Sequence, residues 1–481
     1  MVLKRYFLFL LVIGMINCVA ANAKGNVNVV FFFVDDLGWT DLSCFGSDLY
    51  KTPNVDKLAA MGMKFTNAYS SCTVCSPSRA SIMTGKYPAR INCTDWIEGW
   101  KYPYAQLKVP DWTMYMKASE YTMAEAFKDA GYKTIHIGKW HLGEDEIHWP
   151  ENHGFDTNIG GWKKGAPNRS KKEGYTGYFS PYGNPRLDDG PDGEYLTERL
   201  ANEASNFIDD NAEQTFFLNL WFYNVHTPLQ AKKDKIERYR ALIDTSANHQ
   251  NPVYAAMVEH MDDAIGTVLN KLKEKNLIEN TIIVFSSDNG GLVPRKNKIT
   301  SNAPLRSGKG DIYEGGVRVP AIVVAPGVTK ENSISNIPVI SMDFYPTLME
   351  LAGIDIPQSV GAEIDGRSLV KVLKGKKNLD RESLFWHYPH YHIQGATPYS
   401  AVRKGNYKLI HLMESNAYEL YNLADDIGEQ ENLIEKLPEV KAELLSVLDN
   451  WKKEVNAQMP SPNSNFDPNN PRGFGKKKIS H

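Results

Sequence analysis

The stretch Val27-Asn28-Val29-Val30-Phe31-Phe32-Phe33-Val34-Asp35-Asp36 decides the fold. Apart from Asn28 it is a continuous apolar run rich in β-branched and aromatic residues, and it ends abruptly in two acids. A run this short and this apolar suits a strand buried on both faces, as in a mostly parallel sheet. The pattern recurs along the chain. Thr134 to Ile137 ends in Gly138-Lys139-Trp140-His141, and Phe216 to Tyr223 ends near His226-Thr227-Pro228. Thr281 to Ser287 ends in Asp288-Asn289-Gly290-Gly291, and Ala321 to Ala325 ends in Pro326-Gly327. Amphipathic helical stretches lie between these runs, for example Met123 to Ala130, Tyr195 to Asp210 and Pro252 to Lys275. Alternating strands and helices indicate a layered α/β fold. In such sheets ligands gather beyond the carboxyl ends of the strands, where this sequence places its unusual polar residues.

Outside that frame the chain divides by texture. Lys4 and Arg5 precede an apolar stretch from Tyr6 to Ile16, and Ala21-Asn22-Ala23 offers small residues at a cleavage position. This is the order of a secretory signal peptide over residues 1–23, too short in its apolar part to span a bilayer, so the protein is expected to be exported to the periplasm or secreted, and not transmembrane. A lipoprotein signal through Cys18 is disfavoured, because Asn17 suits that processing poorly. A catalytic α/β domain is expected over 24–374. Over 375–456 the aromatic, alternating segments Phe385 to Tyr388, Tyr407 to Ile410 and Tyr418 to Tyr421 predict a small antiparallel sheet. Leu437 to Val455 predicts a terminal helix. Residues 457–481 form a polar tail ending in Lys476-Lys477-Lys478, expected to hug the surface or to move freely.

With 481 residues, 42% of them hydrophobic, the chain can bury a large core. A formal net charge of −3 lacks the basic surface of a nucleic-acid binder, and no such partner is expected. Of the five cysteines, Cys44, Cys72, Cys75 and Cys93 remain after the signal segment. An exported protein can form disulfides, and a Cys72 to Cys93 or a Cys44 to Cys93 bridge is left open.

Two elements carry chemistry. Asp35-Asp36 alone could cap a helix as readily as bind a cation. Joined by Asp288-Asn289 at another strand end, they make a hard-oxygen ligand set without His or Cys, suited to Ca²⁺ or Mg²⁺ rather than Zn²⁺. The second element is Cys75-Ser76-Pro77-Ser78-Arg79, continued to Thr84-Gly85-Lys86. A lone cysteine beside a helix start is usually a buried packing residue. This one stands in a signature that resembles the type I, formylglycine-dependent sulfatases of the alkaline phosphatase superfamily.

The resemblance extends in order from Asn28 to about Tyr345 and includes Gly138-Lys139-Trp140-His141-Leu142-Gly143, Asn224-Val225-His226-Thr227-Pro228 and Arg306-Ser307-Gly308-Lys309-Gly310. It implies an alkaline-phosphatase-like large mixed, mostly parallel sheet flanked by helices, with a smaller C-terminal antiparallel sheet plus helix. It further implies that a maturation enzyme oxidises Cys75 to formylglycine, whose hydrate attacks sulfur and later releases sulfate as the carbonyl re-forms. Ca²⁺ would be held by Asp35, Asp36, Asp288, Asn289 and residue 75. Arg79 would steady the aldehyde hydrate and the carboxylates, and Lys139 and Lys309 would bind sulfate. His141 would act as the base that collapses the sulfated intermediate, and His226 would stand beside the leaving-group oxygen.

The expected substrate is a sulfated carbohydrate, an oligosaccharide of galactose or N-acetylgalactosamine type. Trp96, Trp100, Lys101, Arg306, His387, His390 and His392 are the candidates for holding it, against the alternative that the Trp386 to His392 segment is simply a packed aromatic hairpin. Lys163, Lys164 and Lys171 read as solvated surface residues. Two other functions compete with this reading. A phosphodiester or phosphonate hydrolase of the same superfamily tends to place a histidine in the metal site, where this chain has Asn289. A catalytically silent, sulfated-glycan-binding relative would have lost the nucleophile or a ligand, and none is lost here.

Overall fold

The computed structural model describes residues 27–293 and 299–470. The expected signal segment, Cys18 and Lys476 to Lys478 therefore lie outside the described residues. The opening apolar run forms β1 (Asn28–Val34), every residue of which is buried. With β2 (Met63–Phe65), β3 (Lys133–Gly138), β4 (Thr157–Ile159), β5 (Phe216–Trp221), β6 (Thr281–Ser287), β7 (Ala321–Val324) and β8 (Ser333–Ser335) it builds an eight-stranded sheet in the order β8-β2-β7-β6-β1-β5-β3-β4. The stretch β6-β1-β5-β3-β4 is parallel throughout. Strand β7 runs antiparallel to both β6 and β2, the mixed part of the expected mixed, mostly parallel sheet. The sheet is mixed and mostly parallel.

Alternate residues of β1 feed two cores. Val30, Phe32 and Val34 pack with Leu218, Leu220, Ile283 and Phe285 under the helices Pro53–Met61, Leu196–Asp210 and Pro252–Glu274. Val29, Phe31 and Phe33 pack with Phe217, Trp221 and Val284 under the helices Cys75–Thr84, Met123–Asp129 and Phe344–Ala352. Each fully buried Val or Phe contributes roughly 1.5–3 kcal/mol, so the strand is held from both sides. Local signals set the helix starts. Asn251 accepts from Val253 N and Tyr254 N ahead of Pro252, and Thr122 with Glu125 forms a reciprocal capping box.

The C-terminal part is an antiparallel sheet of β9 (Ser383–Tyr388), β10 (Tyr399–Lys404), β11 (Tyr407–Leu412) and β12 (Ala417–Asn422) in chain order. Helix Pro438–Glu454 covers it, stacking Trp451 on Phe385 with ring centroids 4.7 Å apart. Its core is continuous with the larger part, since Tyr69, Tyr87 and Val317 belong to the same apolar cluster as Trp386, Leu409 and Leu448. At that junction Lys408 Nζ is completely buried, 2.9 Å from Glu314 and 2.9 Å from Glu429. The tail hugs the surface as far as Asn470. Ser461–Pro462 pairs antiparallel with Leu107–Lys108, and Asn463 N donates to Gln106 O.

Neither disulfide left open by the sequence is formed: Cys44, Cys72, Cys75 and Cys93 are all free thiols. Among the described residues no helix is long and apolar enough to cross a membrane.

Candidate active site

Because β1, β3, β5 and β6 are parallel, the residues that follow them emerge at one edge. Asp35 and Asp36 follow β1, Lys139 to His141 follow β3, His226 follows β5, and Asp288 and Asn289 follow β6. The loops are tied together: Asp35 N donates to Asn224 O at 2.8 Å, Val225 N to Asp35 O at 2.7 Å, and Asp288 N to Val34 O at 3.1 Å. Two backbone turns aim the groups. Asp36 adopts φ 60° and donates its N–H to Asp288 Oδ1 at 3.1 Å. Gly138, at φ 101°, lies so close to Trp221 O that no side chain fits there.

The helix Cys75–Thr84 approaches from the other side with all ten of its residues buried. Cys75 is its first residue, and Arg79 lies one turn later. Arg79 Nε and Nη2 grip Asp288 Oδ2 at 3.1 and 2.9 Å, Nη1 donates to Lys139 O, and the guanidinium lies over the Phe33 and Trp221 rings. Lys139 Nζ meets Asp35 Oδ2 at 2.6 Å, and Lys309 Nζ meets Asp36 Oδ1 at 2.6 Å. The thiol of Cys75 sits between these pairs, 3.6 Å from Asp35 Oδ1 and 3.4 Å from Lys309 Nζ.

The electrostatics follow from burial. Removal from water, then Lys139 opposing and Asp288 and Asp36 reinforcing, pushes the Asp35 carboxyl far above its ordinary range. Burial also opposes ionised Asp36 and Asp288, but Lys309 and Arg79 respectively hold these two carboxyls below theirs. Burial pushes the Cys75 thiol up to about 12. His226 is pushed down to about 3 by burial and by Lys309, with Asp36 opposing. His141 is pushed well below its usual value by burial and by Lys139.

The residues fit a cation. Asp36 Oδ2 and Asn289 Oδ1 are buried acceptors without a hydrogen-bond donor, an uncommon condition for oxygens inside a protein. Ligand atoms of Asp35, Asp36, Cys75 and His226 all lie within 4.8 Å of one another. Asp35, Asp36, Asp288 and Asn289 together offer an oxygen-only set of the kind a hard cation takes.

Above Cys75 opens a cavity of ≈ 710 Å³ whose wall includes Trp96, Trp100, His141, His226, Lys309 and His392. His141 Nε2 donates to Ile97 O at 2.7 Å, which leaves Nδ1 without a partner. His226 Nδ1 donates to Thr227 O at 2.8 Å, and Nε2 lies 3.7 Å from Asp36 Oδ2.

The outer wall corrects several expectations. His387 is locked between Ser400 Oγ and Gln458 O, and His390 is bonded to Thr94 Oγ1 beside the edge of Trp112, so both are packing residues away from the cavity. Arg306 stacks on Tyr313 and bonds Tyr421 and Glu429 O, which removes it from the substrate side. Lys101 is exposed and outside the cavity lining. Conversely Lys163 and Lys164, read as solvated, line the cavity together with Arg169. Nothing in the local sequence marks them, because contacts distant in the chain, with His141 and with Gly183 O, bring their loop to the cavity.

A family model described as Sulfatase matches residues 27–354, the span that holds every residue of the buried cluster. The chain belongs to the sulfatase family. A second model, N-sulphoglucosamine sulphohydrolase, C-terminal, matches 308–455. The sulfatase is 32% identical to a protein named Sulfatase from Formosa agariphila, over 87% of this chain and 86% of the relative. It is 31% identical to N-acetylgalactosamine-6-sulfatase from Canis lupus familiaris, over 88% and 79%. The crystal structure of Ps i-CgsB matches with a TM-score of 0.77 and 27% identity, covering 92% of this chain and 95% of that one, and it has also been solved in complex with k-i-k-neocarrahexaose. The protein is thus a sulfuric ester hydrolase with the alkaline-phosphatase-like fold.

Proposed function

We propose that this sulfatase is exported and removes sulfate from a sulfated oligosaccharide of galactose or N-acetylgalactosamine type, after a maturation enzyme has converted Cys75 to formylglycine. The observation that carries this reading is the meeting of Asp35 Oδ1 and Lys309 Nζ on the Cys75 sulfur at the floor of the cavity. The sugar reading draws on Ps i-CgsB, solved with an oligosaccharide, and on the N-acetylgalactosamine-6-sulfatases. Trp96 and Trp100, their rings 6.1 Å apart on the cavity wall, offer apolar faces to such a ring.

In this reading Ca²⁺ is held by Asp35, Asp36, Asp288, Asn289 and residue 75, and it supplies Lewis-acid stabilisation of negative charge on oxygen. The formylglycine hydrate supplies two hydroxyls on one carbon, one to attack sulfur and one to expel sulfate. The chain does the rest. Lys139 and Lys309 bind the sulfuryl oxygens and stabilise their growing charge in a buried site, where such contacts count most. Arg79 fixes Asp288 and so the carboxylate cluster. The free Nδ1 of His141 is the atom able to take a proton, since Nε2–H is committed to Ile97 O. His226 Nε2, on the cavity wall beside Asp36, is placed to serve the departing oxygen once it has taken up a proton, since the Nδ1–H is committed to Thr227 O.

The test joins two measurements on protein purified from its native host: mass spectrometry of the peptide containing residue 75, and turnover of defined sulfated sugars. An aldehyde in place of the thiol, with release of sulfate from a galactose or N-acetylgalactosamine sulfate, is the expected result. An unmodified thiol in protein that is nonetheless active sinks the formylglycine reading. Turnover confined to aryl sulfates sinks the sugar reading.

A further inference from the structure

The loop Trp162 to Ser170 carries three cations on the cavity wall, Lys163, Lys164 and Arg169. It is fastened to the catalytic centre at two points. His141 N donates to Trp162 O at 3.1 Å, and Gly165 lies so close to the His141 ring that a methyl group on it would overlap the imidazole. Lys163 and Lys164 therefore occupy the two positions between contacts with a residue of the reaction centre.

The three cations differ in what satisfies them. Lys163 is paired with Glu144 at 2.9 Å, in solvent. Lys164 is only part-exposed, lies 5.2 Å from the centre of the Trp162 ring, and has Asn168 Oδ1 at 2.5 Å as a neutral partner. Glu98 and Glu173 act on it from a distance, but among the described residues no carboxylate comes within ion-pair range of Lys164 or Arg169. Burial works against the Lys164 charge, so an ammonium held there without a carboxylate is most stable with an anion beside it. Lys309 already serves the anion on the cavity floor, and nothing in hydrolysis of a single sulfate requires two more cations further out.

We propose that Lys164 and Arg169 form a second anion subsite, which takes a sulfate ester or a carboxylate carried by the substrate in addition to the sulfate that is removed. This rests on the sulfated-sugar reading above and narrows it to polyanionic oligosaccharides. Trp96 and Trp100 line the same cavity, so a sugar held there has both aromatic and cationic neighbours.

The test compares wild type with the double variant Lys164→Gln/Arg169→Gln on four substrates: a nitrophenyl sulfate, a monosulfated disaccharide, the same disaccharide with a second sulfate, and the same with a uronate. Two lost charge-assisted contacts predict a loss of about tenfold to a hundredfold in kcat/KM on a doubly charged substrate, chiefly through KM. On the two singly charged substrates kcat/KM stays within about twofold of wild type. Whether the sulfate or the uronate arm shows the loss identifies the anion. Wild type alone gives a second readout that needs no folded variant: its preference for the doubly charged disaccharide should shrink as salt rises.

Equal losses on all four substrates, or no preference of wild type for a second charge, would overturn the subsite while leaving the sugar reading in place. Turnover of nitrophenyl sulfate with no turnover of any disaccharide overturns the sugar reading and the subsite together, a pattern distinct from the other two.

Discussion

Lys309 Nζ lies 3.4 Å from Cys75 Sγ while it holds Asp36 Oδ1 at 2.6 Å. A single ammonium thus reaches from the carboxylate cluster to the Cys75 sulfur. On the opposite side Lys139 holds Asp35 Oδ2, and Asp35 Oδ1 faces the same sulfur. The Cys75 sulfur is thus flanked by two lysine–carboxylate pairs, Lys309 with Asp36 and Lys139 with Asp35.

Replacing either lysine should therefore damage every substrate alike, since the sulfuryl group is common to all. Replacing His226 should not. A general acid typically supplies about 10²- to 10⁴-fold, and mainly when the leaving oxygen is basic. His226→Ala is expected to lower kcat/KM on that scale for a sugar sulfate and distinctly less for a nitrophenyl sulfate, while Lys139→Ala and Lys309→Ala lower both by similar factors. Equal damage by His226→Ala to the two substrates removes its leaving-group role.

The orphaned oxygens of Asp36 and Asn289 predict metal dependence. Chelation should abolish turnover, and Ca²⁺ should restore it better than Zn²⁺. Calcium at about one hundred times its Kd should also add about 2.7 kcal/mol of stability, visible as a rise in Tm. Asn289→Ala is the cleaner variant, because Asp288→Ala would also strand Arg79 as a buried, unpaired charge. Asn289→Ala should raise the calcium concentration needed for half-maximal Tm rise. An unchanged calcium response in that variant would remove Asn289 from the site.

Gly165 makes a separate prediction. A methyl group there overlaps the His141 ring, and either the loop or the ring has to give way. Misplacing a reacting group by about 1 Å can cost 10²-fold in rate. Gly165→Ala should therefore lower kcat by about ten- to a hundredfold with Tm nearly unchanged. Wild-type kcat in this variant would show that the loop does not position His141.

The buried Lys408 tests how the two parts of the chain are joined. Its loss removes the one cation that Glu314 and Glu429 share and leaves Glu314 with Arg318 at 3.5 Å, and breaking a buried pair typically costs about 3–5 kcal/mol. Lys408→Ala should lower Tm substantially in thermal denaturation. Lys408→Arg, which keeps the charge, should lower it less. Equal Tm values for wild type and Lys408→Ala would contradict the role given to this contact.

Much of this was legible in the sequence because it depends on local pattern. The apolar runs ending in Asp35-Asp36, Lys139 to His141 and Asp288-Asn289 identify strands by composition, and parallel pairing then brings their ends together without further information. What stayed hidden depends on residues far apart in the chain. Strands β2, β4 and β8 have three residues each, too few to show a period. The antiparallel sense of β7 is a property of its neighbours rather than of its own residues. His387 and His390 looked like ligand groups because histidines in an aromatic segment can face either way. Ser400, Gln458 and Thr94, distant in the chain, settle their direction. Lys164 shows the converse, since its loop comes to the cavity through contacts with His141 and Gly183 that its own sequence does not announce.

If residue 75 carries out the reaction, kcat/KM of Cys75→Ala on a nitrophenyl sulfate shows it most directly. The variant should keep wild-type Tm, within a degree or two, and show no turnover above background. Activity within about tenfold of wild type, a barrier change of only about 1.4 kcal/mol, would contradict it and move the nucleophile elsewhere.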